Sequence, residues 1–236
     1  MLPVLAPDPH SFPVMPPADL DNSRVIVEHE WTAFTEIEQM TSHWDRPGWS
    51  DGRRAYYWML TFAEHRRLSE TVEACQRSVA CLGMDPVAGP WLHVTMTRIG
   101  DTALVAPRDI DKLAKSAPAL LPHEFEIAAQ PLTGSRGALR LSLAPWTPLI
   151  GLHAALTEVG RRAGMPGGKA TAGFRPHLAV AYNNRQRPAQ LVAEAVSQLR
   201  SLAPVTVPVQ GVDLVELRRE GASYQWKPLH RLALSH

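Results

Sequence analysis

The stretches Trp91-Leu92-His93-Val94-Thr95-Met96 (91–96) and Pro176-His177-Leu178-Ala179-Val180-Ala181 (176–181) decide how this chain is read. Both alternate as strands do, and in a strand side chains at i and i+2 share a face. His93, Thr95 and Thr97 are therefore expected to point one way while Val94 and Met96 enter a core. In the second stretch His177, Ala179 and Ala181 share a face, with Leu178 and Val180 opposed. The two histidines are 84 positions apart, and each follows a helix and a loop containing Pro and Gly. That repetition is the mark of an internal duplication.

Working outward, AYYWMLTF (55–62) reads as a buried strand and 68–82 as a helix capped by Ser69. A shorter helix follows over 107–117, then strands at 124–132 and 138–144 around the turn GSRG. Helices over 146–164 and 188–202 flank the glycine-rich loop PGGKATAGFRP (166–176), read as a mobile rim. The run 205–220 and the segment 223–234 read as a closing hairpin turned at Glu220-Gly221. Strands and helices alternate but hairpins interrupt them, which favours an α+β architecture over a doubly wound parallel sheet.

If the halves pack about a pseudo-twofold axis, the two imidazoles face each other across a groove. Such a pair suits phosphodiester chemistry. One group takes a proton from the nucleophile and the other gives one to the leaving oxygen, and an imidazole does either near neutral pH. A threonine hydroxyl two residues on can hold a non-bridging oxygen.

The two motifs His93-Val94-Thr95 and His177-Leu178-Ala179, with WDRPGW (44–49), GFRPHLAVAYNN (173–184) and VDLVELRREG (212–221), resemble the 2H phosphoesterase superfamily, in its 2′-5′ RNA ligase-like and cyclic phosphodiesterase branch. The resemblance covers roughly residues 55 to 234. It implies a bilobal fold of duplicated ferredoxin-like halves around a central cleft, with no metal and no cofactor. It also implies an enzyme that hydrolyses cyclic phosphates or cleaves and joins 2′-5′ linkages. His93, Thr95 and His177 match the family's catalytic pattern. Ala179 does not, because Ser or Thr is usual there. The departure motivates an alternative: a degenerate protein that binds a nucleotide or RNA end without turnover. A metallohydrolase using His and Asp is a third option.

Further substrate contacts are expected of Arg175, two residues before His177, and of Tyr57, which could stack on a base. Ala179 would serve as pocket wall, and Tyr182 could join only if a bulge turns it towards His177. No histidine spacing suggests a metal ligand set.

Composition sets the outer limits. The 236 residues carry 24 basic and 23 acidic side chains, a net charge of +1. That balance does not call for a long polyanion, and it leaves room for a short nucleotide or an RNA end with a cyclic phosphate as partner. Two cysteines and the absence of any apolar run near ~20 residues point to a cytoplasmic monomer without a membrane span. Residues 1–54 are expected to be an N-terminal extension and loop, with prolines at 3, 7, 9, 13, 16 and 17 running over the surface, and 55–236 a single bilobal domain. The loop 43–54, rich in Trp and Arg, reads as a clasp more than as a lid.

Overall fold

The computed structural model describes residues 3–45 and 48–235, so Arg46 and Pro47 of the clasp loop lie outside the described residues. In chain order the elements are α1 (Ser23–Thr35), β1 (Gln39–Met40), β2 (Arg54–Thr61), α2 (Arg66–Ser78), β3 (Asp85–Pro86), β4 (His93–Asp101) and α3 (Pro107–Ser116). They continue with β5 (Phe125–Gly134), β6 (Ala138–Ala144), α4 (Thr147–Arg162), β7 (Leu178–Tyr182), β8 (Arg187–Pro188), α5 (Ala189–Ser197), β9 (Val205–Val209), β10 (Gly211–Glu220) and β11 (Ser223–Ala233).

Two antiparallel sheets form the frame, ordered β11-β10-β2-β4 and β3-β7-β6-β5-β9, as a duplicated α+β architecture requires. The division does not fall at mid-chain. The closing hairpin returns to pair with β2, while the short β3, which precedes β4 in the chain, already pairs with β7 in the second sheet. The expected single strand over 205–220 is two strands. Val205–Val209 pairs with β5 in one sheet, and Gly211–Glu220 pairs with β2 in the other. The break falls at Gln210–Gly211, where a Cβ on Gly211 would lie 2.8 Å from the Leu232 carbonyl oxygen. Strand β9 alternates cleanly, with Val205, Val207 and Val209 buried and Thr206 and Pro208 exposed.

The helices are exchanged between sheets. Helix α2, which follows β2 of the first sheet, packs on β5, β7 and β9 of the second. Helix α4, which follows β6 of the second sheet, packs on β4 of the first. The strands carrying the two histidines then meet, and Cα atoms of β4 and β7 approach within 8 Å. Helix α2 begins at Arg66, two residues before the expected start. Its cap is His65, whose Nδ1 accepts from the Leu68 N–H at 3.2 Å, and Ser69 lies inside the first turn.

Helix α1 lies on β5 and β6, with Ile26 and Phe34 fully buried. Glu30 on the same stripe is also fully buried and meets Arg140 at 2.8 Å. Desolvation raises the Glu30 pKa although Arg140 opposes the rise, and Glu30 Oε2 and Arg140 Nε are buried without a hydrogen-bond partner among the described residues, so the pair offsets its own burial only in part. No helix among the described residues is long and apolar enough to cross a membrane.

Candidate active site

His93 is the first residue of β4, and His177 immediately precedes β7. Burial follows the expected alternation at the start of β4 but not in β7, where Ala179 and Ala181 are buried along with their neighbours. Val94, Met96, Leu178 and Val180 are buried, His93 and Thr95 are half-buried, and His177 is exposed.

The two rings are held in the same way. His93 Nδ1 lies 2.9 Å from the Trp91 carbonyl oxygen, and His177 Nδ1 lies 2.9 Å from the Arg175 carbonyl oxygen. A carbonyl can only accept, so each Nδ1 carries the proton. In the neutral ring Nε2 then keeps the lone pair. This hold from the carbonyl two residues upstream makes Nε2 the ring atom that can accept a proton in each neutral imidazole.

Their surroundings differ. The His93 ring lies edge-on to Trp226 at 5.1 Å between centroids, and Trp226 in turn lies 4.9 Å from Trp91. Desolvation lowers the His93 pKa below 6.5, against the opposing hydrogen bond to Trp91. Trp226 carries no sequence signal of its own, because it arrives from the far strand β11.

Thr95 lies opposite Met59 and His93 opposite Thr61, whose hydroxyl donates to buried Asp213 at 2.7 Å. Thr97 departs from expectation. The register slips between Trp58 and Met59, so Thr97 pairs with Trp58 and Arg98 with Tyr57. A bulge of this kind re-aims the residues beyond it. Thr97 is buried, and Arg98 contacts Asp101 at 2.6 Å. Arg98 is a cation that the strict alternation missed.

Tyr57 is half-buried, edge-on to Trp49 at 6.1 Å, and desolvation pushes its phenol up to about 12, so it stays a neutral donor. The register slips between Leu139 and Arg140 opposite β7, and the Tyr182 ring contacts His43, Trp44 and Tyr224. Its ring stacks on His43 at 4.1 Å and meets Tyr224 of the first sheet at 5.4 Å, so it joins the two sheets. Ala179 is buried opposite Arg140.

Arg175 is placed differently from the phosphate contact expected of it. It is buried, and its five N–H donors go to five carbonyls: Pro13, Ala172, Phe174, Ala6 and Val14, at 2.7–3.1 Å. Three of those carbonyls belong to the N-terminal arm. The loop expected to be a mobile rim is docked. Gly167 donates to the Ile99 carbonyl at 2.8 Å, and a Cβ there would lie 2.5 Å from the same oxygen, so only glycine permits the approach to β4.

The 43–54 loop is fastened to the main body. Trp44 Nε1 donates to Asp85 at 2.7 Å, and Arg219 Nη1 donates to the Trp44 and Trp49 carbonyls at 2.8 and 2.7 Å. A surface hollow of about 610 Å³ between α1 and α5 contains neither imidazole. Among the described residues no three His, Cys, Asp or Glu side chains gather where they could hold a metal ion.

Comparison with known proteins bears on the fold and the family. A crystal structure described as a phosphoesterase matches with a TM-score of 0.55 and 18% identity, over 78% of this chain and 99% of its own. E. coli LigT in complex with NADP+ matches with a TM-score of 0.57 and 17% identity, over 79% of this chain and 100% of its own. The LigT complex with 3′-AMP gives 0.56 and 18%, over 78% and 99%. At these identities the likeness speaks to the fold. No curated protein matches the sequence. The 2′-5′ RNA ligase superfamily matches residues 65–221, a span that includes both histidine motifs, and the chain belongs to that family within the 2H phosphoesterases.

Proposed function

We propose that this protein is a phosphodiesterase acting on nucleotides or RNA ends, opening a 2′,3′-cyclic phosphate or cleaving and joining a 2′-5′ linkage. His93 and His177 serve as its acid–base pair. One observation carries the reading: both rings are held through Nδ1 by the carbonyl two residues upstream, leaving Nε2 as the reacting atom in each.

The difference between the rings sets the roles in hydrolysis. His93, biased to the neutral form beside Trp226, takes the proton from water through Nε2 as the oxygen attacks phosphorus. The donor role falls to His177, which stays in water and protonates the departing ribose oxygen. The Thr95 hydroxyl holds a phosphoryl oxygen as charge builds. Neither metal nor cofactor takes part in this scheme. LigT was crystallised with 3′-AMP, ATP and NADP+, which supports a nucleotide as ligand here. A monomer in a reducing cytoplasm suits the two free thiols, Cys75 and Cys81.

Ala179 favours a second reading, nucleotide capture without turnover. Incubation with nucleoside 2′,3′-cyclic monophosphates in EDTA separates the two. Hydrolysis that disappears in both His→Ala variants supports the enzyme, and saturable binding without turnover supports the binder.

A further inference from the structure

We infer that Arg175 is a positioning residue for His177, acting by locking the N-terminal arm onto the loop that carries that histidine. The inference rests on the acid–base reading above for its effect on rate, though its structural part stands apart from it.

A guanidinium has five N–H donors in a rigid fork. In Arg175 the Nε donates to Pro13 O (3.0 Å), Nη1 to Ala172 O (3.1 Å) and Phe174 O (3.0 Å), and Nη2 to Ala6 O (2.7 Å) and Val14 O (2.9 Å). The set is complete, and it ties two separate passes of the arm to the loop. Asp8 is the acid that offsets the loss of solvent around this cation.

The arm holds the same loop at further points. Ala6 N–H donates to Ala172 O at 3.0 Å, and the Ser11 hydroxyl shares its one proton between Gly173 O and Asp8 Oδ2. Gly173 admits Asp8 because a Cβ there would lie 2.2 Å from the Asp8 Oδ2. From inside, His153 Nδ1 lies 2.9 Å from the Thr171 hydroxyl, and its ring stacks on Phe174 at 4.2 Å.

The carbonyl of Arg175 itself accepts from His177 Nδ1. The side chain of Arg175 therefore fixes the backbone whose own oxygen sets the tautomer and tilt of His177. His93 needs no such device, since its carbonyl partner Trp91 is packed against Trp226. The arm residues 6–14 that supply this support precede the matched family segment 65–221.

The test compares wild type, Arg175→Lys and a chain lacking residues 3–16. Readouts are steady-state kinetics on a nucleoside 2′,3′-cyclic monophosphate and 15N shifts of both imidazoles. A lysine cannot span five carbonyls, and a misplacement near 1 Å costs on the order of 10²-fold in rate. Both variants are expected to lose about 10²-fold in kcat with KM little changed. His177 should lose its Nδ1–H tautomer preference while His93 keeps its own.

An unchanged kcat with an unchanged His177 tautomer would overturn the inference, as would equal disturbance of both rings. If neither variant folds, Asp8→Asn with Ser11→Ala loosens the arm at Gly173 and carries the same readouts. If wild type shows no turnover, the phosphodiesterase reading fails, while the imidazole shifts still decide the positioning role.

Discussion

The starts of β4 and β7 solve one problem by opposite means. Each presents an imidazole held through Nδ1 by the carbonyl two residues before it. At β4 the support is apolar and comes from within the folded domain: Trp226 lies edge-on to the half-buried His93 and packs in turn on Trp91. At β7 the ring is exposed and the support is polar and remote, a guanidinium that gathers the N-terminal arm. Duplicated frames can thus hold equal residues in unequal electrostatic settings, and an acid–base pair needs that inequality. The residues two positions on differ as well, a threonine hydroxyl on one side and Ala179 on the other.

The comparison breaks most sharply if either ring is removed. His93→Ala and His177→Ala should each lower kcat by about 10²–10⁴-fold, the usual worth of a positioned acid or base, as measured by cyclic-nucleotide hydrolysis. A large loss in only one of them would mean that the other ring is structural.

The β7 side has its own acid sensitivity. Burial holds His153 down to about 4, against 6.5 for an ordinary ring. Below pH 6.5 the unfolded chain takes up a proton that the folded chain refuses until near pH 4. The stabilisation from the neutral ring is complete above pH 6.5 and drains as pH falls towards 4, a loss of about 3 kcal/mol. Urea unfolding at pH 7 and pH 4.5 should show it, and His153→Leu should flatten that part of the pH dependence.

Supplying the missing hydroxyl sharpens the comparison further. Ala179→Ser should raise kcat by about tenfold, one hydrogen bond's worth, and Thr95→Ala should lower it by at least as much. Kinetics of the two single variants and the swap check this. The smallest effect is expected from Trp226→Ala. Rehydrating His93 raises its pKa towards 6.5, so the acid limb of the pH–rate profile moves to higher pH and activity at low pH falls.

Much of this was legible in the sequence, for physical reasons. Val94 and Met96 alternate with His93 and Thr95, and that local periodicity survives folding, whereas β7 is buried on both faces. The features that stayed hidden are long-range or sub-periodic. Arg175 reaches carbonyls about 160 positions away, which no local pattern reports. The register slips at Trp58/Met59 and Leu139/Arg140 leave Thr97 buried, Arg98 paired with Asp101 and Tyr182 packed on His43 and Tyr224, none of which strict alternation foretells. The switch of sheet at Gln210–Gly211 lies inside one continuous β-forming run, where propensity cannot mark a change of partner.

The central claim is that two rings in unlike settings serve one phosphate. Titrating the protein with adenosine 3′-monophosphate while following the 15N and Hε1 signals of His93 and His177 tests it most directly. Both rings should shift together and saturate at one nucleotide concentration. Movement of one ring alone, or saturation at two separate concentrations, would contradict it.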